Sequence, residues 1–344
     1  KFDAAQIGTF LHYVLEYVTR RVMERGGFSA LDDGELQALI DEVIRTYMDS
    51  AMPGFDEKEA RFQYLFRRLG KTVTTIVENA AREMRESDFV PMYFELDFSE
   101  NGDLPAISIH ADDAALTVVG KVDRVDGWLK DGKLYLRVVD YKSGKKAFDL
   151  SDVRHGLNIQ MLLYLFALQR QGGALFDGRE IVPAGVLYFP ARDALINAPR
   201  GMEAQKLRAA MEKELRRSGM VLSDPDVLEA MEHGALENPR FLPLSIGRDG
   251  SITKGVATAE ELGKLGKYVD TLLRRIAGEL RGGNIDADPC GRSESDNACT
   301  YCEFASACHF MDLDERDHME MIRPINAEEF WQYVDEVNQE VEEQ

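Results

Sequence analysis

Two short segments carry residues of the types that hydrolysis of a phosphodiester needs. Gly120-Lys121-Val122-Asp123-Arg124-Val125-Asp126 sets an aspartate in an apolar, β-branched run, and Asp140-Tyr141-Lys142 sets Asp-x-Lys at the end of another, Leu134 to Val139. Asp is depleted from strand interiors because a buried charge is costly unless it is paired or binds a metal. Carboxylates on adjacent strands can hold a hard divalent cation, and a lysine two residues past the second offsets charge on an attacking water or on the phosphate. The competing reading of the same residues is a strand-end ion pair of Asp140 with Lys142 or Arg124.

Other groups gain or lose meaning with that pair. His12, in Gly8-Thr9-Phe10-Leu11-His12, stands among apolar neighbours, where a lone histidine is usually a packed boundary residue unless its helix leans over a metal site. Gln160 and Tyr164 are four apart and share a helix face, either as packing or as hydrogen-bonding groups toward a phosphate. All four cysteines, Cys290, Cys299, Cys302 and Cys308, fall in one short stretch of a long chain. A dense cluster of this kind points to a metal site in a reducing compartment rather than to structural disulfides. From spacing alone, the Cys299-x₂-Cys302-x₅-Cys308 run suits Zn²⁺ or an iron–sulfur cluster, with Zn²⁺ the more frequent structural ion.

The elements that must position these groups follow from periodicity. Apolar spacing predicts helices over 5–24, 33–49 (capped at Asp32 or Asp33), and 56–86 with Asp56 as cap. Strands are expected over Met92–Phe98, 115–125 and 134–141, the last two joined at Lys130-Asp131-Gly132-Lys133, where Asp-Gly signals a hairpin. A helix over 157–170 and a strand from Ile181 to Phe189 follow, with Pro183 suiting a strand start or an edge. Helices over 201–217 and 259–280, the cysteine loop, and a polar helix holding Phe330, Trp331, Val334 and Val337 complete the chain. The order gives an α/β fold, α+β in its mixed sheet, with helices flanking a central sheet. It is divided here as one domain over 1–311 (helical part 5–87, core about 90–190, insertion 190–257, Cys-rich loop 288–310) and an acidic tail over 312–344.

Composition bounds the function. The chain has 344 residues, 44% hydrophobic and 30% charged, so a folded core is expected. No apolar run approaches the roughly 20 residues of a membrane span, so no membrane partner is expected, and the reducing compartment that the cysteines suggest is expected to be the cytoplasm. The chain opens on Lys1 rather than Met and reads as a piece of a longer protein. Net charge is −20, of which residues 312–344 supply −10, whereas residues 115–146 carry +4. The segment with the candidate chemistry is thus locally basic within an acidic protein. There is no Gly-x-x-x-x-Gly-Lys-Ser/Thr loop, so ATP hydrolysis is not expected of this chain.

Taken in order, Gly-x-x-x-His, Gly-x-x-Asp, Asp-x-Lys and Gln-x-x-x-Tyr resemble the RecB-type nuclease branch of the PD-(D/E)XK superfamily. The likeness extends from about residue 5 to 311, with Gly156 to Leu165 and Pro183 to Phe189 included, and is greatest to the AddB-type nuclease domains of bacterial helicase–nucleases. The resemblance implies a restriction-endonuclease-like core and Mg²⁺- or Mn²⁺-dependent cleavage of single-stranded DNA. Products would carry 5′-phosphate and 3′-hydroxyl ends, within a complex that processes broken DNA ends for recombination repair with a helicase subunit of the AddA type. By the same resemblance Asp123, Asp140, His12 and the backbone carbonyl of Tyr141 would ligate the ion, and Lys142 would position or activate the water. Gln160 and Tyr164 would hold the phosphate backbone or brace the site. Glu95 is a candidate for an outer or second-metal role, and Asp126 for a turn or supporting role. Three of the cysteines, Cys299, Cys302 and Cys308, would join one upstream cysteine around a 4Fe–4S cluster. No cysteine precedes Cys290 here, so either the fourth ligand lies outside this sequence, or Cys290 replaces it, or His309 does. The alternative function is a catalytically inactive nuclease-fold scaffold that only binds DNA.

Overall fold

The structure, a computed structural model, describes residues 4–111, 114–144, 147–192, 202–293, 295–308, 310 and 319–342. The chain forms two compact units: Lys1–Pro105 with Gly120–Phe148 and Tyr164–Ala259, and Ala106–Val119 with Asp149–Leu163 and Glu260–Gln344.

The first unit begins with three helices, α1 (Ala4–Glu24), α2 (Asp33–Ala51) and α3 (Ala60–Arg85). In α1 the residues at helical spacing, Phe10, Leu11, Val14, Leu15 and Val18, are all buried. Phe10 packs its ring 5.0 Å from Phe66 of α3 and 4.9 Å from Tyr47 of α2. Asp32 caps α2 as expected: it accepts from Glu35 N at 2.8 Å while Glu35 Oε2 accepts from Asp32 N at 3.1 Å, a reciprocal capping box. The expected start of the third helix at Asp56 is not found. Phe55–Glu57 forms a separate 3₁₀ turn, and α3 starts four residues later behind Glu59.

The helices lead into β1 (Val90–Phe98). In the second unit, β2 (Ile107–Ala111) and β3 (Ala114–Val118) pair as their own small antiparallel ribbon. The single strand expected over 115–125 therefore breaks at Val119, and the chain returns to the first unit as β4 (Gly120–Lys130), then β5 (Lys133–Lys142). Asp131 and Gly132 turn the hairpin with φ of 52° and 78°, the left-handed pair that a tight two-residue turn demands. The connection to the next strand carries α4 (Leu150–Arg154) and α5 (Gln160–Gln171), and β6 (Glu180–Pro190) follows. Then come α6 (Ala204–Glu214), β7 (Ser218–Leu222), α7 (Pro225–Met231), and the short strands β8 (Ser245–Ile246), β9 (Ile252–Lys254) and β10 (Val256–Ala257).

The main sheet has the order β1-β4-β5-β6-β7-β10, antiparallel except for the parallel pairs β5–β6 and β7–β10. The strand at Ile181–Phe189 is thus central, not an edge. Pro183 is tolerated because β7 pairs with β6 only from Gly185 onward, which leaves the proline beside an unpaired stretch with no ladder donor to lose. The middles of β4 and β5 are buried, and yet both carry charge there. Arg124, Asp126 and Arg137 are 1%, 0% and 0% exposed. Asp126 accepts from Arg124 at 3.0 Å and from Arg137 at 2.9 Å, and Arg137 reaches Glu83 of α3 at 3.2 Å. Asp126 is therefore the centre of a buried ion network, not a turn residue. The basic charge read along 115–146 is partly internal.

The second unit also holds α8 (Ala259–Arg281), the three-stranded ribbon β12-β11-β13 formed by β11 (Cys290–Ser293), β12 (Asp296–Asn297) and β13 (Glu320–Met321), the single turn α9 (Ala305–Cys308), and α10 (Ala327–Glu342). The acidic helix α10 is anchored by burying Phe330 and Val334, and Lys264 of α8 meets Asp335 at 3.0 Å. Among the described residues no helix is long and apolar enough to cross a membrane.

Candidate metal centre

Pairing register brings the polar groups of three strands to one level. β4 and β5 pair as far as Arg124↔Val139, so Asp123 and Asp140 are the next residues of the two strands. On the other side β1 pairs Phe94 with Arg124 and Leu96 with Val122, which puts Glu95 level with Asp123. Glu95 holds φ at 51°, a left-handed conformation uncommon for a residue with a side chain and found where surrounding structure imposes it. Helix α1 supplies His12 from above the strands.

The atoms interlock around Tyr141. His12 Nε2 lies 3.2 Å from the Tyr141 carbonyl oxygen. That leaves Nδ1 facing carboxylates, 3.5 Å from Asp123 Oδ1 and 3.9 Å from Glu95 Oε1. The Tyr141 backbone N–H donates to Asp123 Oδ2 at 2.7 Å. The Tyr141 hydroxyl, on the opposite face of the strand, accepts from Arg124 of the buried network at 3.0 Å. Ligand atoms of His12, Glu95 and Asp123 all lie within 4.8 Å of one another, a set able to hold one metal ion.

Asp140 stands beside this set rather than in it. Its Oδ2 is 2.5 Å from Lys142 Nζ, which itself lies 5.6 Å over the Tyr188 ring. The same oxygen is buried and has no donor in hydrogen-bonding geometry. The Lys142 ammonium, 2.5 Å away, is the partner that offsets the charge of this buried oxygen. Burial, foremost, and the neighbouring carboxylates of Asp140 and Glu95 push Asp123 up to about 6 against the opposing pull of His12 and the Tyr141 N–H. Burial pulls the His12 imidazole down, but the hydrogen bond and charge of Glu95, with Asp123, outweigh it, and the net shift is upward. Clustered acids that resist ionising together are what a divalent ion relieves. Imidazole with carboxylates suits Mg²⁺ or Mn²⁺, the imidazole favouring Mn²⁺.

The structure thus brings together His12, Glu95, Asp123 and Tyr141, with Asp140 and Lys142 adjoining. Glu95, given a lesser role on sequence grounds, sits in the inner set. Its parity in the alternating strand Met92–Phe98 is visible in the sequence, but the left-handed backbone that aims it is not. Gln160 opens α5 as an exposed residue of the second unit. Tyr164, one turn on, is buried in the first, its ring stacked 5.3 Å from Phe98. The Tyr164 hydroxyl lies against Gly120, where a Cβ would come within 1.9 Å of it, so the glycine of the Gly-x-x-Asp segment is a packing requirement. Beyond Lys142, a cavity of about 450 Å³ runs past Ser143 and is lined by Arg61, Arg68 and Arg192. No motif in the sequence marks these three arginines.

The cysteines separate. Cys290 lies with His155 and Glu320, the other described group of metal-ligating residues. Cys299 is half-buried, and Cys302 and Cys308 are exposed. Among the described residues these three do not close on a single ion. His309 lies outside the described residues.

Over residues 1–309 the sequence matches the PD-(D/E)XK nuclease superfamily. It is 32% identical over 329 residues to a protein of Acetivibrio thermocellus named as a subunit of an ATP-dependent helicase/deoxyribonuclease, covering 94% of this chain and 28% of that protein. Proteins of the same name from Caldanaerobacter subterraneus subsp. tengcongensis (33% over 316 residues, 90% of this chain and 27% of the relative) and Clostridium kluyveri (29% over 343 residues, 98% and 30%) are similar to it as well. The chain spans less than a third of the length of these relatives.

Proposed function

The chain belongs to the PD-(D/E)XK nuclease superfamily, and on that premise we propose that it hydrolyses DNA phosphodiester bonds with a divalent cation held by His12, Glu95 and Asp123 and flanked by Asp140. The observation that carries the reading is the convergence of these groups around Tyr141, with Lys142 Nζ 2.5 Å from Asp140 Oδ2 at the edge of the set. A bound Mg²⁺ or Mn²⁺ would lower the pKa of water and offset charge on the phosphate.

The chain's own residues account for the rest. The Tyr141 carbonyl fixes the His12 ring and its N–H fixes Asp123, so donor positions are set by a strand rather than by a loop. Lys142, paired with Asp140, is placed to orient a water or a phosphate oxygen. Arg61, Arg68 and Arg192, in the cavity that continues from Ser143, offer a path for the phosphate backbone. Single-stranded DNA is the proposed substrate, as the family resemblance implies, and a net charge of −20 weighs against broad contact with a duplex. The relatives are named as subunits of a helicase/deoxyribonuclease, which supports a working assembly with a helicase subunit; by the family resemblance that partner would be of the AddA type and the setting the repair of broken ends. The thiolates of Cys299, Cys302 and Cys308 would contribute to a 4Fe–4S cluster in that assembly, which iron analysis and an absorbance spectrum of anaerobically purified protein would reveal.

The test is cleavage of labelled single-stranded DNA with Mg²⁺ or Mn²⁺ by the wild type, Asp140→Ala and Lys142→Ala. Each variant should lose at least about 100-fold in rate, the scale of a group acting in the transition state. Equal cleavage by all three would overturn the assignment. Metal binding without cleavage by the wild type would favour an inactive scaffold.

A further inference from the structure

We propose that His155, Cys290 and Glu320 form a separate site for a zinc-class divalent cation in the second unit. The site involves none of the residues assigned to hydrolysis and does not rest on that reading.

The three donors are set by regular structure, not by chance proximity of loops. β11 and β13 run parallel with Cys290 and Glu320 as direct register partners, so their side chains leave the ribbon on the same face. Backbone bonds lock that register: Glu320 N donates to the Pro289 carbonyl and Ile322 N to the Gly291 carbonyl, each at 2.9 Å. His155 caps the end of α4, its N–H bonded to the Asp152 carbonyl at 3.0 Å. Arg292, two residues after Cys290, clamps the ribbon to the same helix through Asp149 at 3.1 Å and through Asp152. The clamp therefore fixes the distance between the strand that carries the thiol and the helix that carries the imidazole.

The donor chemistry is that of zinc. A thiolate, an imidazole and a carboxylate are all among its usual ligands, and three protein donors leave one position for water. His155 Nδ1 is 2.9 Å from Glu320 Oε1, Cys290 Sγ is 3.8 Å from Glu320 Oε2, and all three ligand atoms lie within 4.8 Å of one another. Tetrahedral zinc with bonds of about 2.0–2.3 Å sets its ligand atoms roughly 3.4–3.6 Å apart, so small side-chain rotations suffice. Without a cation, burial and then the Glu320 carboxylate push the Cys290 thiol up. A cation there would reverse that by favouring the thiolate. The site opens on a cavity of about 540 Å³ lined by Arg154, Tyr268, Arg275, Glu279 and Tyr333, which leaves room for the water. Bound metal would fasten β11 and β13, which bracket the cysteine loop, to the helix that follows the catalytic strand in sequence.

The experiment uses the intact chain carrying Cys299→Ser, Cys302→Ser and Cys308→Ser, so that Cys290 is the remaining thiol. It is titrated with Co²⁺ and then with Zn²⁺ against a chromophoric chelator. The expected result is one thiolate-bound ion per chain, counted by a thiolate-to-cobalt charge-transfer band that the imidazole and carboxylates of the hydrolytic centre do not give, with zinc affinity at this site read from displacement of that band. In that background His155→Gln should weaken zinc binding at least about 100-fold, more than loss of an outer partner does, and Glu320→Gln at least about 10-fold. Melting of the metal-free variants checks that they remain folded. Absence of the band, or a zinc affinity indifferent to His155→Gln, would overturn the proposal.

Discussion

Gly120→Ala tests the packing that aligns the carboxylate strand. The new Cβ would lie 1.9 Å from Tyr164 Oη and 3.0 Å from its Cζ. Normal contact needs more than 3 Å, so the ring must retreat by over an ångström or β4 must lift. The ring has little room, because Tyr164 is 3% exposed and stacked on Phe98. Overpacking of this kind costs about 1–3 kcal/mol. Most of the clash comes from one oxygen, and Tyr164→Phe removes it. Measured by urea unfolding, Gly120→Ala should cost about 2 kcal/mol beside Tyr164 and about 1 kcal/mol less in the Tyr164→Phe background, a coupling typical of residues in contact. DNA cleavage should follow the same order, since Asp123 is three residues further along the strand. Equal costs in both backgrounds would refute the claim that the hydroxyl occupies the space the glycine leaves.

The remaining expectations follow from the charges. Asp126→Ala strands Arg124 and Arg137 without their shared carboxylate, and chemical denaturation should show a loss on the order of 3–5 kcal/mol. In metal-free protein, Asp123 titrates near 6 when folded and near 3.8 when unfolded, so the folded chain binds more protons between those values. Its contribution to stability is then fully present below about pH 3.8 and is lost as pH rises through 6, on the order of 2–3 kcal/mol. His12, also raised, adds to the loss above its unfolded value of 6.5. Melting curves across that range should flatten in Asp123→Asn and on adding Mn²⁺, and a slope unchanged by either would contradict the account. Asp32→Ala should cost about 1 kcal/mol through loss of the capping box. DNA binding by the chain alone should be weak and steeply salt-dependent, and tight binding at high salt would contradict the charge argument.

Local signals proved legible where a few adjacent residues decide the outcome. Asp32 with Glu35, Asp131 with Gly132 and the apolar face of α1 each specify an element from within a few turns of chain. The order of His12, Asp123, Asp140 and Lys142 was equally visible, because strand pairing carries such groups into line. What could not be read depends on distant partners. Arg124 and Arg137 look like solvent-facing charge until Asp126 and Glu83 are seen against them. Glu95 owes its direction to a backbone angle that no propensity foretells. Pro183 can stand in a central strand only because β7 stops short of it, pairing with β6 from Gly185 onward, and the sequence does not show where β7 ends. His155, Cys290 and Glu320 are far apart in sequence, and only the β11–β13 register and the Arg292 clamp make them neighbours.

Tyr141 divides its labour between two faces. Its carbonyl and amide serve the centre, whereas its ring and hydroxyl belong to the core with Arg124 and Phe189. The groups it presents to His12 and Asp123 are common to every amino acid except proline, which lacks the N–H. Selection on the His12–Asp123 centre therefore cannot see which side chain stands there, and selection on packing can. A position between two conspicuous motif residues is free to drift with the interior while its contribution to the chemistry stays constant, so the importance of residue 141 would escape any survey that scores side-chain identity alone.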